Sequence, residues 1–457
     1  MAVHLVPKGY KIFENLPVIG WHSSGKAIVS DGRHNIYVPY AIPGEQVDVT
    51  VAKRQKRNYI AGDLTSIVQA SAHRVSPACP HFARCGGCNW MHIAYQQQLA
   101  FKKQLISQAL AKYQIPHPPI KEVVPSPQPL AYRGKVDFTP GITPQGEIYW
   151  GYHPAEDPHT VFPVEECYIT DPQVIATALH LQKVINAYHK SLPDSVKLYE
   201  IIKGFTLRCN KNGDQLLTIH AVEVLPRVEE LVNQITRYNP LLKSVFLKLQ
   251  HPLHNTLMHL WGDSYLIESM NRWLFQLSAD AFFQPNIHLA DQLFQKIVSL
   301  ASPSADDIIY DLYTGVGTIA IHLAPYAKHV IGIENSETAI SDARANQLRN
   351  RLDNLSFVVG DVLKTFVPEF INLHGRPDIV VLDPPRSGTL IETLKNMIAF
   401  RPKRIVYVSC NPVSLAWNLT YLKDFYTIES VIPFDMFPQT HHVETLVRLE
   451  RKSKENA

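Results

Sequence analysis

Five of the six cysteines of this 457-residue chain fall into two groups that suggest different chemistry. Cys410 stands alone in the run RIVYVSCNP, residues 404–412. Ile405, Val406, Tyr407 and Val408 are apolar and β-forming, which predicts a short buried strand. Ser409 and Cys410 end it, and Asn411-Pro412 forces a turn. In open α/β sheets ligands gather where strands end. A thiol held there suits a nucleophile, because sulfur attacks as thiolate and needs fixed geometry. The plainer alternative is a small buried hydrophobe, and this stretch by itself favours that alternative. The other cluster is Cys79-x5-Cys85-x2-Cys88, with Gly86 and Gly87 letting the backbone curl so that several sulfurs face one centre. Cys167, in VEECYI, is the candidate fourth ligand. Four thiolates suit zinc or an iron–sulfur cluster, and the spacing does not choose between them. Cys209, in GFTLRC, reads as core.

A second set of candidates lies between residues 308 and 386. IIYDLY, residues 308–313, predicts a strand that ends at Tyr313, and TGVGTIA, residues 314–320, predicts a glycine turn entering a helix. The next strand, His329–Glu334, ends in an acid. This is G-x-G-x-x-A with a carboxylate roughly 20 residues further on, as in nucleotide-binding α/β units. Gly315 and Gly317 let the backbone approach a ligand, and Gly317 is expected at the sheet edge, outside the core. Glu334 can accept from a ribose diol. Asp361 closes the following strand, a placement suited to an adenine amino group. A dinucleotide is the commonest reading of such a turn. Residues 379–382 lead, however, into Asp383-Pro384-Pro385-Arg386. That pattern resembles S-adenosylmethionine (SAM) methyltransferases acting on nucleic acid, and a dehydrogenase has no use for it.

Length predicts two to four domains. A hydrophobic content of 46% fits core-forming domains, and 44 basic against 41 acidic residues leaves any nucleic-acid affinity to local patches. No apolar run reaches membrane-spanning length and residues 1–10 carry no export signal, so a cytoplasmic, reducing setting is expected, where clustered cysteines bind metal more often than they form disulfides. Residues 13–67 alternate short β runs with Asp31-Gly32 and Pro43-Gly44 turns, as in a small barrel. The loop Lys53, Arg54, Gln55, Lys56, Arg57, Asn58, Tyr59 follows, and its four cations are candidate phosphate contacts. Tyr95–Lys112 predicts an amphipathic helix, followed by a proline-rich connector. Arg133 beside Tyr132 suits a phosphate-and-base surface. Residues 140–266 mix strands and helices in α+β fashion. From Asn271 the rhythm is βαβ. The expected fold class is therefore multidomain: an OB-like β-barrel over 1–70, a central α+β domain over 71–266, and a doubly wound, Rossmann-like α/β domain over 267–457.

With these pieces in order, the chain resembles the bacterial RNA uracil-C5 methyltransferases, in particular the 23S rRNA branch. VPYAIPGEQVDV, residues 38–49, resembles the small RNA-binding barrel called TRAM. The remaining matches are Cys79, Cys85, Cys88 and Cys167; FFQPN, residues 282–286; DLYTGVGT, 311–318; DPPRSG, 383–388; SCNP, 409–412; and HVET, 442–445. The resemblance covers nearly the whole chain. It implies a [4Fe–4S] cluster on the four cysteines, SAM as methyl donor, ribosomal RNA as partner with no obligate protein partner, and a helix 95–112 that packs back on the catalytic domain. Three positions depart from the pattern: Thr314, Pro285 and the pair Trp417-Asn418.

The resemblance implies roles residue by residue. Cys410 adds to uracil C6, which turns C5 into a nucleophile. Glu444 removes the C5 proton after methyl transfer. Gln284, Tyr313, Gly315, Gly317, Glu334, Asp361 and Asp383 are expected on the cofactor. Asp383 is also expected on the uracil N3–H, and Phe282 is expected to stack on the base. Phosphate contacts are expected from Arg133, Lys53, Arg54, Lys56 and Arg57. The target base must be flipped out or lie in a loop. The competing readings are a tRNA uracil-C5 methyltransferase, a catalytically silent iron–sulfur RNA-binding protein, and an iron–sulfur oxidoreductase. The last would leave Asp383-Pro384-Pro385 unexplained.

Overall fold

The structure is a computed structural model that describes residues 9–52, 60–237, 239–251 and 255–453. The basic loop of Lys53, Arg54, Lys56 and Arg57 lies outside the described residues.

Five strands close into an N-terminal barrel: Tyr10–Trp21, Ala27–Ser30, Asn35–Val38, Gln46–Ala52 and Ile60–Gln69. The first pairs with both the second and the fourth, and the fifth runs between the third and fourth, so no edge is left. Strict alternation turns Val47, Val49 and Val51 inward against Val29, Ile36 and Val38. The barrel core does not stop at its own strands. Trp90, fully buried, packs its ring 4.7 Å from that of Trp21 and donates its indole N–H to the Gly25 carbonyl at 3.0 Å. Phe101 and Leu105 of the helix Tyr95–Lys112 complete the cluster.

That helix has two apolar faces. Phe101 and Leu105 belong to the barrel cluster, whereas Ile106, Ala109 and Leu110 join the core beneath Tyr310, Leu382 and Tyr407. It packs on the helix Pro412–Leu422, which begins just after Cys410. The helix is thus a wedge between the barrel and the C-terminal layer, joined to both by apolar burial at roughly 25 cal/mol per Å².

The central sheet has seven strands, in the order Asn255–Gly262, Leu242–Gln250, Gln215–Ala221, Ile202–Cys209, Lys135–Ile142, Ile148–Tyr152 and Phe162–Pro163. Helices Pro172–Ser191 and Val228–Thr236 cover one face, burying Leu181, Ile185, Tyr188 and Leu231 on Phe205 and Leu217. Cys209 is buried there. A hairpin, Leu266–Met270 with Trp273–Leu277, precedes the βαβ rhythm and is tied to the helix Glu337–Arg349 through Asp342, Asn346 and Asn350.

The C-terminal sheet runs Leu355–Val359, His329–Glu334, Ile308–Leu312, Ile379–Leu382, Arg404–Ser409, Glu444–Arg451, Tyr426–Phe434. The first five are parallel and the last two antiparallel. The strand order reverses about Ile308–Leu312, so the carboxyl ends of this strand and its neighbours open one crevice. No described helix is long and apolar enough to cross a membrane.

Trp90→Ala should cost about 3–5 kcal/mol, the range for emptying a buried aromatic site. The measurement is the urea unfolding midpoint; an unchanged midpoint would mean that the barrel joint contributes nothing to stability.

Candidate active site

Four strand ends deliver the side chains of one cavity of about 990 Å³. Gly315 follows Ile308–Leu312, Glu334 ends His329–Glu334, Asp383 follows Ile379–Leu382 and Cys410 follows Arg404–Ser409. Glu444, the first residue of the antiparallel strand Glu444–Arg451, enters from the other side. Gln284, Tyr313, Phe282 and Arg133 also line this space. Of the adjacent phenylalanines, Phe283 is core and Phe282 is 69% exposed at the wall.

The turn at Cys410 is tied to the turn at Asp383. Asn411 caps the helix Pro412–Leu422 by accepting from Val413 N–H, while its amide donates to the Arg386 carbonyl at 2.9 Å. Ser414 Oγ donates to the same carbonyl at 3.0 Å. The departure at Asn418 has a structural meaning: its fully buried amide accepts from Thr389 N–H and Tyr407 O–H and donates to the Thr389 carbonyl. It braces the Asp383–Thr389 loop from behind and does not face the cavity. Thr314 hydrogen-bonds the buried Asp311, and Pro285 accepts from Gly134 N–H, which places Arg133 beside the wall.

One expectation needs correction. Gly317 does not lie outside the core: at φ +83°, a Cβ there would lie 2.7 Å from the Phe357 ring. Gly315 is the open one, with φ +55° and no atom within 4 Å of a Cβ. Asp361 stands outside the cavity lining; its carboxylate is exposed and caps the short helix Val362–Thr365 by accepting from Leu363 N–H at 2.9 Å. Its charge still reaches Tyr313, whose hydroxyl meets Thr389 Oγ1 at 2.8 Å.

The residues that sequence reading passed over come from the segment 435–443. Phe437, Thr440 and His442 line the cavity, and His442 Nδ1 lies 3.3 Å from the Arg386 guanidinium. A lysine and an aspartate, Lys102 and Asp435, are fully buried against each other beneath this segment. No local pattern marks them: Lys102 shares its helix face with Gln98, and Asp435 lies just past the strand Tyr426–Phe434.

Burial governs the electrostatics. It pushes the Cys410 thiol up to about 12, reinforced by the Glu444 and Asp383 carboxylates and opposed by Arg386. Glu444, 3% exposed, is raised well above an ordinary carboxylate by burial and then by the Asp383 charge, and its Oε1 has no partner. Asp383, partly exposed to the cavity, is raised by its desolvated surroundings. Asp311, fully buried, is pushed up to about 7 by burial.

The four clustered cysteines line a second cavity of about 350 Å³. Burial raises the Cys88 thiol strongly, and the charges of Cys167, Cys85 and Cys79 add to it. Burial, then the neighbouring thiols, raises Cys79 and Cys85 in the same sense. Gly86, Gly87 and Arg133 form a wall shared with the larger cavity. Among the described residues no three His, Cys, Asp or Glu side chains converge tightly enough to hold a single metal ion.

The family described as tRNA (Uracil-5-)-methyltransferase matches residues 263–452. An uncharacterized RNA methyltransferase of Clostridium tetani is 32% identical over 441 residues, covering 95% of each chain. The chain belongs to the RNA uracil-C5 methyltransferase family. Another uncharacterized RNA methyltransferase, from Porphyromonas gingivalis, is 32% identical over 451 residues, 92% of this chain and 96% of the other. The same architecture occurs in the Pyrococcus abyssi tRNA (uracil-54, C5)-methyltransferase in complex with S-adenosyl-L-homocysteine, with a TM-score of 0.74 at 24% identity over 96% of this chain and all of that one. As a member of this family the protein is a SAM-dependent RNA methyltransferase. The cavity suits SAM on physical grounds: a glycine with open space at Gly315, a carboxylate at Glu334 for a ribose, and room for a nucleoside beside a base.

The two glycines should separate. Gly317→Ala should lower Tm sharply, because its Cβ collides with Phe357. Gly315→Ala should cost only about 1–2 kcal/mol of backbone strain, yet weaken SAM binding in calorimetry. Equal effects on Tm would contradict this assignment.

Asp311 gives a pH test. Its folded pKa, about 7, lies above the ordinary carboxylate value. Its contribution is therefore full below the unfolded pKa and lost as pH rises through about 7. Asp311→Asn should gain in Tm relative to the unmutated protein between pH 5 and pH 8. A constant Tm difference across that range would remove Asp311 as a titrating group.

Proposed function

We propose that this chain converts a uridine of 23S ribosomal RNA to 5-methyluridine by covalent catalysis. The observation that carries the reading is the convergence of Cys410, Asp383 and Glu444 on one cavity beside Gly315 and Glu334. Cys410 sulfur bonds to C6 of the target uracil, and the C5–C6 electron pair moves toward the O4 carbonyl as an enolate. Burial raises the Cys410 thiol, so its proton must leave as the C6–S bond forms; it passes to water in the cavity, which leaves the Glu444 carboxylate unprotonated for the later step. SAM supplies the electrophilic methyl group. Glu444 then takes the C5 proton, the C5–C6 double bond re-forms, and the sulfur leaves. A carboxylate with a raised pKa is matched to that proton transfer.

Asp383 accepts from the uracil N3–H and Gln284 reads a polar edge of base or cofactor with an amide that both donates and accepts. Phe282, exposed at the wall, offers a stacking face. Gln284, Tyr313, Gly315, Glu334 and Asp383 would hold the cofactor. Arg133 and the cations Lys53, Arg54, Lys56 and Arg57 would meet phosphates.

Cys79, Cys85, Cys88 and Cys167 would hold a [4Fe–4S] cluster. Four thiols lining one cavity are a donor set that fits it. The cluster would supply a tie between residues 79–88 and residue 167, shaping the wall that Gly86, Gly87 and Arg133 contribute to the larger cavity.

Transfer RNA is the second reading, because the matching family and the Pyrococcus protein both carry tRNA in their descriptions. The barrel does not separate the two, since that likeness spans 96% of this chain.

Labelled SAM with separate 23S rRNA and tRNA transcripts tests the substrate. Label in the rRNA transcript is expected; label in tRNA alone would overturn the ribosomal assignment. Cys410→Ala should reduce turnover by roughly 10⁴-fold or more, as for other nucleophiles, with SAM binding retained. Glu444→Gln should trap methylated RNA on the protein, seen as a shifted band on a denaturing gel. Normal turnover in Glu444→Gln would remove Glu444 from the mechanism.

A further inference from the structure

Glu444 stands at the mouth of a hairpin. Strands Tyr426–Phe434 and Glu444–Arg451 pair antiparallel, and their last partners are Phe434 and Glu444. Residues 435–443 are the connecting loop, and Phe437, Thr440 and His442 from it line the catalytic cavity. A loop of this length does not fix its own shape. Many of its hydrogen bonds run to residues more than 300 positions earlier.

Gln98 and Lys102 lie four residues apart, on one face of the helix Tyr95–Lys112. Lys102 Nζ pairs with Asp435 and donates to the Phe437 carbonyl at 3.0 Å. Gln98 makes a reciprocal pair with Gln439: its amide donates to Gln439 Oε1 at 2.9 Å, and its Oε1 accepts from Gln439 N–H at 3.0 Å. Gln98, Lys102 and Asp435 are all nearly or fully buried. A buried ion pair is a poor way to gain stability, because desolvating two charges costs about as much as their attraction returns. What an apolar pair of equal volume cannot supply is a donor to the Phe437 carbonyl and a fixed start to the loop opposite Glu444.

We propose that Gln98 and Lys102 are positioning residues for the methyl-transfer reaction: they clamp the loop 435–443 so that Glu444 is held in place to take the C5 proton. Neither touches substrate. The clamp rests on the reading of Glu444 as the proton acceptor. It also makes the catalytic loop depend on a helix wedged against the barrel, so that the site is complete only when the N-terminal part of the chain is docked.

The test is Lys102→Met with Asp435→Leu in one chain, which replaces the pair by apolar groups without leaving a lone buried charge. Its Tm and its SAM affinity by calorimetry should stay at the unmutated values. Its kcat on RNA should fall by about tenfold to a hundredfold, the size expected for a catalytic group misplaced by about an ångström, with KM for RNA unchanged. Because the step that slows is elimination, the covalent RNA adduct should accumulate on a denaturing gel, as in Glu444→Gln. Unmutated kcat in the folded double variant, or a fall in kcat without adduct, would overturn the clamp. If the double variant does not fold, Gln98→Met is read in the same way, and unmutated kcat without adduct there overturns it. Glu444→Gln run alongside keeps the two failures apart. Full turnover in Glu444→Gln sinks the Glu444 assignment, whereas an inactive Glu444→Gln beside a fully active clamp variant sinks only the clamp.

Discussion

The ion pair of Lys102 with Asp435 is the constraint around which this molecule is assembled. Both groups are fully buried, and they join residues 333 positions apart. Taking either charge out of water alone would cost several kcal/mol, so neither can be buried without the other. The pair thus links the helix that carries Lys102 to the hairpin loop. That helix also carries Phe101 and Leu105 into the barrel core and Ile106 and Leu110 into the catalytic core. One polar contact in the middle of two apolar seams sets their register. Apolar surfaces slide; a buried charge pair does not.

The loop between residues 435 and 443 gathers the consequences. Asn89, immediately after Cys88, accepts from His441 N–H and pairs with the His441 ring at 2.8 Å. Asn89 and Trp90 both donate to the Gln439 carbonyl. Tyr132 donates to the Pro438 carbonyl at 3.0 Å. The cysteine segment, the barrel and the wedge helix all end on the same few residues beside Glu444. A group held by the four cysteines would stiffen this arrangement from one side, through Gly86, Gly87 and Arg133.

Inside the cavity, loss of contact with water outweighs every other electrostatic influence. Burial raises Cys410, Asp383 and Glu444 alike; the Glu444 and Asp383 charges raise Cys410 further, and the Asp383 charge raises Glu444. Arg386 is the opposing influence on the thiol. A site of this kind makes charge on any one of the three groups costly.

Much of this was legible in the sequence, because it depends on local pattern. The five parallel strands, the helix Tyr95–Lys112 and the placement of Gly315, Glu334, Asp383 and Cys410 at strand ends follow from runs of apolar residues broken by turn formers. Alternation puts Glu444 on one face with Leu446, but Val443, Glu444, Thr445 and Leu446 are all buried, so the strand is covered on both faces. What the tertiary structure decided was direction and company. Gly315 and Gly317 look alike in a motif, but the turn aims one at the cavity and the other at Phe357. Phe282 and Phe283 both line the cavity, but the first is exposed and the second is packed into the core. Asp361, at a strand end like the others, caps a helix outside the cavity. Asn418 braces a loop that the sequence places 29 residues earlier. Lys102 and Asp435 gave no signal, since a pairing across 333 residues has no local pattern. Sequence periodicity reports which side of its own element a residue occupies. Which other element waits on that side is set by how the cores pack, and that information exists only once the chain is folded.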